Sequence, residues 1–451
     1  MTQVLTRDDA YLLDFRALEK SFLADGQAWF HPLRQQAWSR FVELGFPTAT
    51  RGNEQWKYTS VRPIAHATFR HPLDLRPDDV QQAAAIRDLA PGDGGWLTFV
   101  FVNGRYAPGL STAPAGANGA GVMSLAGAMA ADRHGVERHL ARYATFEADA
   151  FTALNTAFFQ DGAFVSIPED VSLPSPVHLV FVTPESAQPT VSYPRTLIVA
   201  GRRSRLTVIE SYIGRSGSPY FTDAVTEIVA GEGARIDHYR ILLESPSAFH
   251  VGVSKVRQEA DSALSSTTFA VGAALARNDF HVLLDAPGSS CVLNGLYRLS
   301  GREHIDNHMN VDHAKPYTTS QLYYKGILDG TSAGVFSGRV LVRPNAQKVN
   351  AQQHDRNLIL SREAQAYTKP SLEIFADDVR CYHGAAAGDL EEDALFYMRS
   401  RGLDQETARK LLILAFASEI IETVQVGPLR AYLERLFSGA LPGFQFGEAA
   451  R

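Results

Sequence analysis

The chain has 451 residues, 43 basic and 49 acidic, for a formal net charge of -6. Hydrophobic residues make up 45% and charged residues 20%, enough to bury a core without disulfides or a structural metal. The acidic balance argues against a dedicated nucleic-acid binder. No uninterrupted apolar run approaches the ~20 residues that span a bilayer, Leu411 to Ala417 being among the longest, so no membrane segment is expected.

At roughly 150 residues per domain, the length suggests two to three domains. The N-terminal MTQVLTRDDAYLLDF has no basic start followed by an apolar stretch, so the cytoplasm is the expected compartment. There are two cysteines, Cys291 and Cys381, 90 positions apart. Without a C-x-x-C there is no thioredoxin-like centre or zinc ribbon. Two thiolates do not by themselves supply the four ligands of a typical iron–sulfur cluster.

Residues 1–95 read as mainly helical. Leu12, Phe15, Leu18 and Phe22 recur at three- and four-residue spacings, and Trp38, Phe41, Val42 and Leu44 follow before Gly45. Asn53 to Ser60 is a short polar-aromatic segment. A third amphipathic piece, Pro77 to Leu89, ends before the breaker cluster Pro91 to Gly95.

From Trp96 the texture turns to β. Val100 to Tyr106 reads as a hairpin around Asn103-Gly104. Residues 136–159 are predicted helical. Short β-rich runs then follow one another at 178–182, 196–200, 206–212, 224–229 and 236–243. The strand-opening apolar residues Leu206, Ile236, Leu264 and Val292 recur at steps of about 28–30 residues with no helix between them, which points to coils stacked on coils, a β-solenoid. A β-sandwich is the alternative, but its turns come at about 8–12-residue spacing. The tail, 389–446, is helical again. Gly402 ends one helix, Asp404 caps the next and Pro428 opens the last, with Leu429, Tyr432, Leu433 and Leu436 on one face.

Two strings carry chemistry. His304 to His313 holds three imidazoles and two carboxylates, a possible transition-metal set. Strand alternation offers a plainer reading: His304, Asp306, His308, Asn310 and Asp312 share a wet face, with Ile305, Met309 and Val311 opposite. The second string ends in Cys381-Tyr382-His383. There the thiol and imidazole project from the same strand face, suited to holding iron or zinc or to acting as a Cys–His nucleophile pair, the plainer alternative being a buried Cys beside an ordinary strand-end His. Asp377 or Glu373, of the same parity, are possible neighbours of His383. No phosphate loop, G-x-G-x-x-G or G-x-S-x-G occurs.

Several segments together resemble the SufB/SufD scaffold family of the SUF iron–sulfur assembly system. They are Asn294–Tyr297 through Asp312-His313, Tyr324–Leu328, Gly334–Gly338, Ala346–Lys348, Asn357–Ser361, Pro370–Ile374, Ala376–Ala385 and Leu395–Gly402. Glu54-Gln55-Trp56-Lys57-Tyr58-Thr59 extends the likeness toward the N-terminus. The C-x-H at Cys381–His383, the E-x-W-K-Y-T and the shortage of cysteines resemble the SufD branch rather than SufB.

The resemblance implies a right-handed parallel β-helix core at 96–385. An N-terminal helical region, 1–95, and a C-terminal helical region, 386–451, flank it. It implies a non-catalytic scaffold and iron-handling subunit that pairs with SufB and binds the SufC ATPase, or forms a homodimer where SufB is absent. A transient iron–sulfur cluster or iron sits at the SufB interface, with nothing bound tightly to the chain alone. His383 is the implied assembly residue and Cys381 a metal contact. Interface candidates are His304, His308, Asp312 and His313. ATPase-docking candidates are Leu411, Leu412, Leu414, Phe416 and Ile420. The other function classes consistent with the residues are a β-solenoid carbohydrate-active enzyme and a homo-oligomeric iron-binding protein.

Overall fold

The computed structural model describes residues 7–24, 27–49, 53–112, 121–215 and 217–439. The predicted helical stretch 440–446 and the side chain of Phe22 lie outside them. The N-terminal helices are α1 (Arg7–Ala24), α2 (His31–Leu44), α3 (Arg62–His66) and α4 (Pro77–Arg87). Strands β1 (Leu97–Val102), β2 (Arg105–Tyr106) and β3 (Gly121–Ser124) follow, then helices α5 (Leu125–Ala131), α6 (Arg133–Glu137) and α7 (Ala150–Phe158).

The long β region comprises β4 (Gly162–Ile167), β5 (Val177–Thr183), β6 (Thr190–Ser192), β7 (Arg195–Ala200), β8 (Arg205–Gly214) and β9 (Tyr220–Ala230). It continues with β10 (Arg235–Leu243), β11 (Phe249–Gln258), β12 (Ala263–Val271), β13 (Leu275–Leu284) and β14 (Ser290–Leu299). The last strands are β15 (His304–His313), β16 (Thr319–Leu328), β17 (Ala333–Val342), β18 (Asn350–Ile359), β19 (Gln365–Ile374) and β20 (Arg380–Gly388). Helices α8 (Glu392–Ser400), α9 (Gln405–Ile421) and α10 (Gly427–Ser438) close the described chain.

The strands form two ten-stranded sheets, and from β7 onward successive strands alternate between them. Sheet I runs β2-β1-β5-β8-β10-β12-β14-β16-β18-β20, and sheet II runs β19-β17-β15-β13-β11-β9-β7-β4-β3 with β6 beside β9. Apart from the β1–β2 and β3–β4 pairs, the pairings are parallel. The core is a parallel β-solenoid, as the repeat predicts. Apolar side chains from the inner faces of both sheets fill it.

The repeat has a physical origin in the turns. Asp170, Arg203, Gly233 and Asp261 all take left-handed backbone, with φ from 54° to 65°. Each donates its amide to a carbonyl of the following turn: Asp170 to Arg202, Arg203 to Glu232, Gly233 to Ala260 and Asp261 to Pro287, at 2.8–3.1 Å. Backbone groups that strands leave unpaired are thus satisfied turn to turn. Gly288 takes the same left-handed backbone, at φ +76°, where a Cβ would lie 2.0 Å from the Asp261 carboxylate.

The Asn103-Gly104 hairpin forms as expected, with positive φ at both residues. The helix predicted over 136–159 is corrected to two pieces, α6 and α7. The buried Glu227 carboxylate takes the amides of Ala141, Tyr143 and Ala144 at 2.8–3.1 Å. Those donors are diverted from a continuous helix to a tertiary acceptor. Arg195 neutralises Glu227 at 2.6 Å, both being fully buried.

Helices cover parts of both outer faces. α5 and α7 pack on sheet II through Leu125, Phe151 and Phe158, and α1 and α2 pack over α7, with Tyr11 and Phe15 against Phe158. α4, α9 and α10 pack on sheet I, where Ile420, Leu429, Leu433 and Leu436 meet Ile241, Phe269 and Leu296. No described helix is long and apolar enough to cross a membrane.

Candidate functional site

β19 and β20 are the last strands of their sheets, so one end of the solenoid presents two strand edges that no described residue covers by pairing. In β20, parity puts Cys381 and His383 on the side that faces inward in every preceding rung. Cys381 lies beside Ala351 and His383 beside Gln353, both of which are buried. Cys381 is half-buried and His383 exposed, because no further rung among the described residues covers them. Burial pushes the Cys381 thiol up, partly offset by a backbone hydrogen bond with Ala351. Cys291, sealed inside, is pushed up to about 12 by burial alone and is inert by comparison.

Beneath Cys381 and His383 the solenoid interior is polar. Gln353 Nε2 donates to the Gly338 carbonyl at 3.2 Å, while its Oε1 is buried without a partner. Asp355 accepts from Asn357 at 2.7 Å, and the Tyr297 hydroxyl donates to Asn357 at 2.8 Å. Burial lifts the Asp355 carboxyl to about 6 against the lowering effect of its hydrogen bonds. Gln353, Asp355 and Asn357 were legible only as a period-2 polar series, easily mistaken for a solvent face. Glu373 is not a neighbour of His383: it belongs to β19 in the opposite sheet and binds Arg339 through both oxygens at 2.6–2.7 Å. Asp377 lies in the exposed bend before β20.

The His304–His313 string forms β15, two strands in from the edge. It is not a wet face throughout. Asp306 is buried, accepting from Thr59 and from Arg277, each at 2.6 Å. His304 meets the same Thr59 hydroxyl at 3.0 Å. Arg277 also grips Asp279 through two nitrogens at 2.8 Å and donates to His308 Nδ1 at 2.9 Å. Asp312 is held by Arg343 at 2.7–2.9 Å. His313 as an interface candidate is corrected. It points into the core, with Nδ1 on Thr318 at 2.7 Å and Nε2 on Ser320 at 2.8 Å.

The polar-aromatic segment 53–60 is a strap across this part of sheet II. Trp56 covers Arg277, whose guanidinium also donates to the Gln55 carbonyl at 2.7 Å. Glu54 pairs with Lys369 of β19 at 2.9 Å, and Tyr58 stacks on Tyr367 at 4.5 Å.

The tail residues divide. Ile420 is fully buried against sheet I, so it is corrected as a docking candidate. Phe416 covers Lys325, whose ammonium lies 4.0 Å from the ring centroid. Leu412 and Leu414 are half-buried, and Leu411 is exposed. Phe396 and Tyr397 on α8, at 75% and 58% exposure, are the larger apolar surface that the sequence reading passed over.

Among the described residues no three of His, Cys, Asp and Glu gather as a metal set. Cys381 and His383 offer one sulfur and one nitrogen donor at an open end, part of a tetrahedral set.

Residues 181–416 match the SUF system FeS cluster assembly SufBD core domain, and residues 6–179 match the SufBD protein N-terminal region. The chain belongs to the SufBD family. An iron-sulfur cluster assembly SufBD family protein of Synechocystis is 33% identical over 86% of each chain. The iron-sulfur cluster assembly protein SufD of Escherichia coli is 27% identical over 92% of this chain and 97% of its own. SufD of Bacillus subtilis is 23% identical over 95% and 97%. Membership places the chain in SUF iron–sulfur cluster assembly.

Proposed function

We propose that the chain is the SufD-type scaffold of a SUF assembly complex, pairing with SufB, binding the SufC ATPase and doing no catalysis of its own. The observation that carries this reading is the open solenoid end. Two free parallel strand edges offer a row of unpaired donors and acceptors to a partner. Cys381 and His383 project at that same end, so a partner docking there supplies the missing ligands for iron or a transient cluster. The interface lies at β19 and β20, with β15 set back from it. Two free thiols suit a reducing cytoplasm.

Exposed Phe396 and Tyr397 on α8 and Leu411 on α9 form the apolar surface for the ATPase, and α9 is anchored by buried Ala417, Ile420 and Ile421. The test is co-expression with the partner scaffold and the ATPase. His383→Ala is expected to leave the complex assembled and ATP hydrolysis intact while lowering iron and acid-labile sulfide per complex. Full cluster content in that variant refutes the role of His383. Separately, the chain alone is expected to hold no stoichiometric four-iron cluster after anaerobic reconstitution.

A further inference from the structure

A second site is built on the outer face of sheet II. Lys255, His281, Asn310 and Arg339 stack in register across four consecutive rungs. With strands about 4.8 Å apart, their heads lie along one short line. Two positions on, Arg257 and Asp312 occupy a parallel column. The turn joining α6 to α7 forms the wall and carries Arg138, Arg142 and Tyr143. Its position is fixed by the hydrogen bonds that three of its amides donate to Glu227.

With Arg343, these residues enclose a cleft of about 610 Å³, within the ~300–1,000 Å³ typical of small-ligand sites. Six cations line it, against the single carboxylate of Asp312, in a chain whose net charge is -6. Three of the six are already paired: Arg343 with Asp312, Arg339 with Glu373, and Arg257 with Asp285 at 2.9 Å. Arg138, Arg142 and Lys255 have no carboxylate partner among the described residues.

Lys255 is the telling member. It is half-buried, with no hydrogen bond or ion pair among the described residues. Burial lowers its pKa from the ordinary amine value, and Asp149 and Asp279 oppose this through space only. An ammonium in that position, opposed only through space by Asp149 and Asp279, gains a direct partner when an anion reaches it. His281 beside it is pushed down to about 3, chiefly by burial, so it stays neutral and keeps one N–H donor.

We propose that this cleft binds a small polyphosphate anion, with Lys255 as the point charge and Arg142 as the planar fork on its oxygens. The volume exceeds that of inorganic phosphate and suits a diphosphate with an attached group. The surface of a nucleic acid does not fit a recess of this size.

The experiment is calorimetric titration of the full-length chain with inorganic pyrophosphate and with ADP at low ionic strength. Saturable 1:1 binding is expected with both. Lys255→Gln and the exposed Arg142→Gln should each weaken it roughly tenfold, while Arg362→Gln, in an exposed turn elsewhere, should leave it unchanged. If Lys255→Gln does not fold, Arg142→Gln alone decides the matter. No heat at about 1 mM pyrophosphate, a weak range for specific ligands, overturns the proposal. So does equal weakening by all three substitutions, which marks diffuse surface attraction. Tighter binding of hexaglutamate than of pyrophosphate also overturns it, since the occupant is then an acidic protein segment.

Discussion

The guanidinium of Arg277 lies 3.8 Å from the ring centroid of Trp56, joining the N-terminal strap to the middle of the solenoid. Arg277 is 2% exposed and binds two buried carboxylates. Trp56 excludes water from all three charges, which strengthens their attraction.

Arg277→Met is therefore expected to destabilise the chain by about 3–5 kcal/mol, because it strands Asp279 and Asp306 without their cation. Trp56→Ala should cost a similar amount through lost burial. Chemical denaturation of the full chain measures both. A loss under about 1 kcal/mol for Arg277→Met would mean the carboxylates relax to water.

Asp279 and Asp355 give opposite pH dependences. Burial alone would raise Asp279, but Arg277 and His308 hold it down at about 2. Its contribution is present above the unfolded value near 3.8 and is lost as pH falls toward about 2. Asp355 is raised to about 6. Its contribution is full below the unfolded value and is lost as pH rises through about 6. Asp355→Asn should therefore stabilise the chain at pH 7, by up to about 3 kcal/mol, and flatten the stability profile between about pH 4 and 6. An unchanged profile would show that Asp355 stays ionised.

The two thiols should differ in alkylation. Iodoacetamide at neutral pH is expected to modify Cys381 slowly, since burial raises its pKa, and to leave Cys291 untouched until the chain unfolds. Peptide mass spectrometry reads this directly. Labelling of Cys291 in the native chain would contradict the sealed interior.

In the tail, Leu411→Asp should weaken retention of the ATPase subunit without lowering the melting temperature. Ile420→Ala should cost about 2–5 kcal/mol, because Ile420 is 0% exposed. Retained ATPase with Leu411→Asp and Phe396→Asp together would move that contact elsewhere.

The solenoid was legible because its step is carried by local chemistry. Leu206, Ile236 and Leu264 do stack in register, but the fourth place belongs to Cys291 rather than Val292. The turn at Gly288 closes one residue sooner, and alternation along a strand cannot reveal a one-residue slip. The shared face of Cys381 and His383 was equally readable from a period of two. That this face belongs to the last rung was readable too, from the helical texture that begins at 389, but the buried polar side chains of Gln353 and Asp355 beneath it were not. The burial of Asp306 was hidden for a different reason: its cover, Thr59, lies 247 positions away. The break at 138–149 was hidden too, since the carboxylate that enforces it comes from β9. Lys255, Asn310 and Arg339 form a column only once the register is known.

The uncovered end at β19 and β20 also bears on how many chains can join. A stack of parallel strands is a template that its own kind extends, and a screw-related addition would leave a fresh edge each time, the geometry of a filament. A two-fold or pseudo-two-fold arrangement instead sets each free strand antiparallel to one on the second chain and uses both edges at once. Growth then stops at two. Symmetry at this end would limit the assembly to a pair.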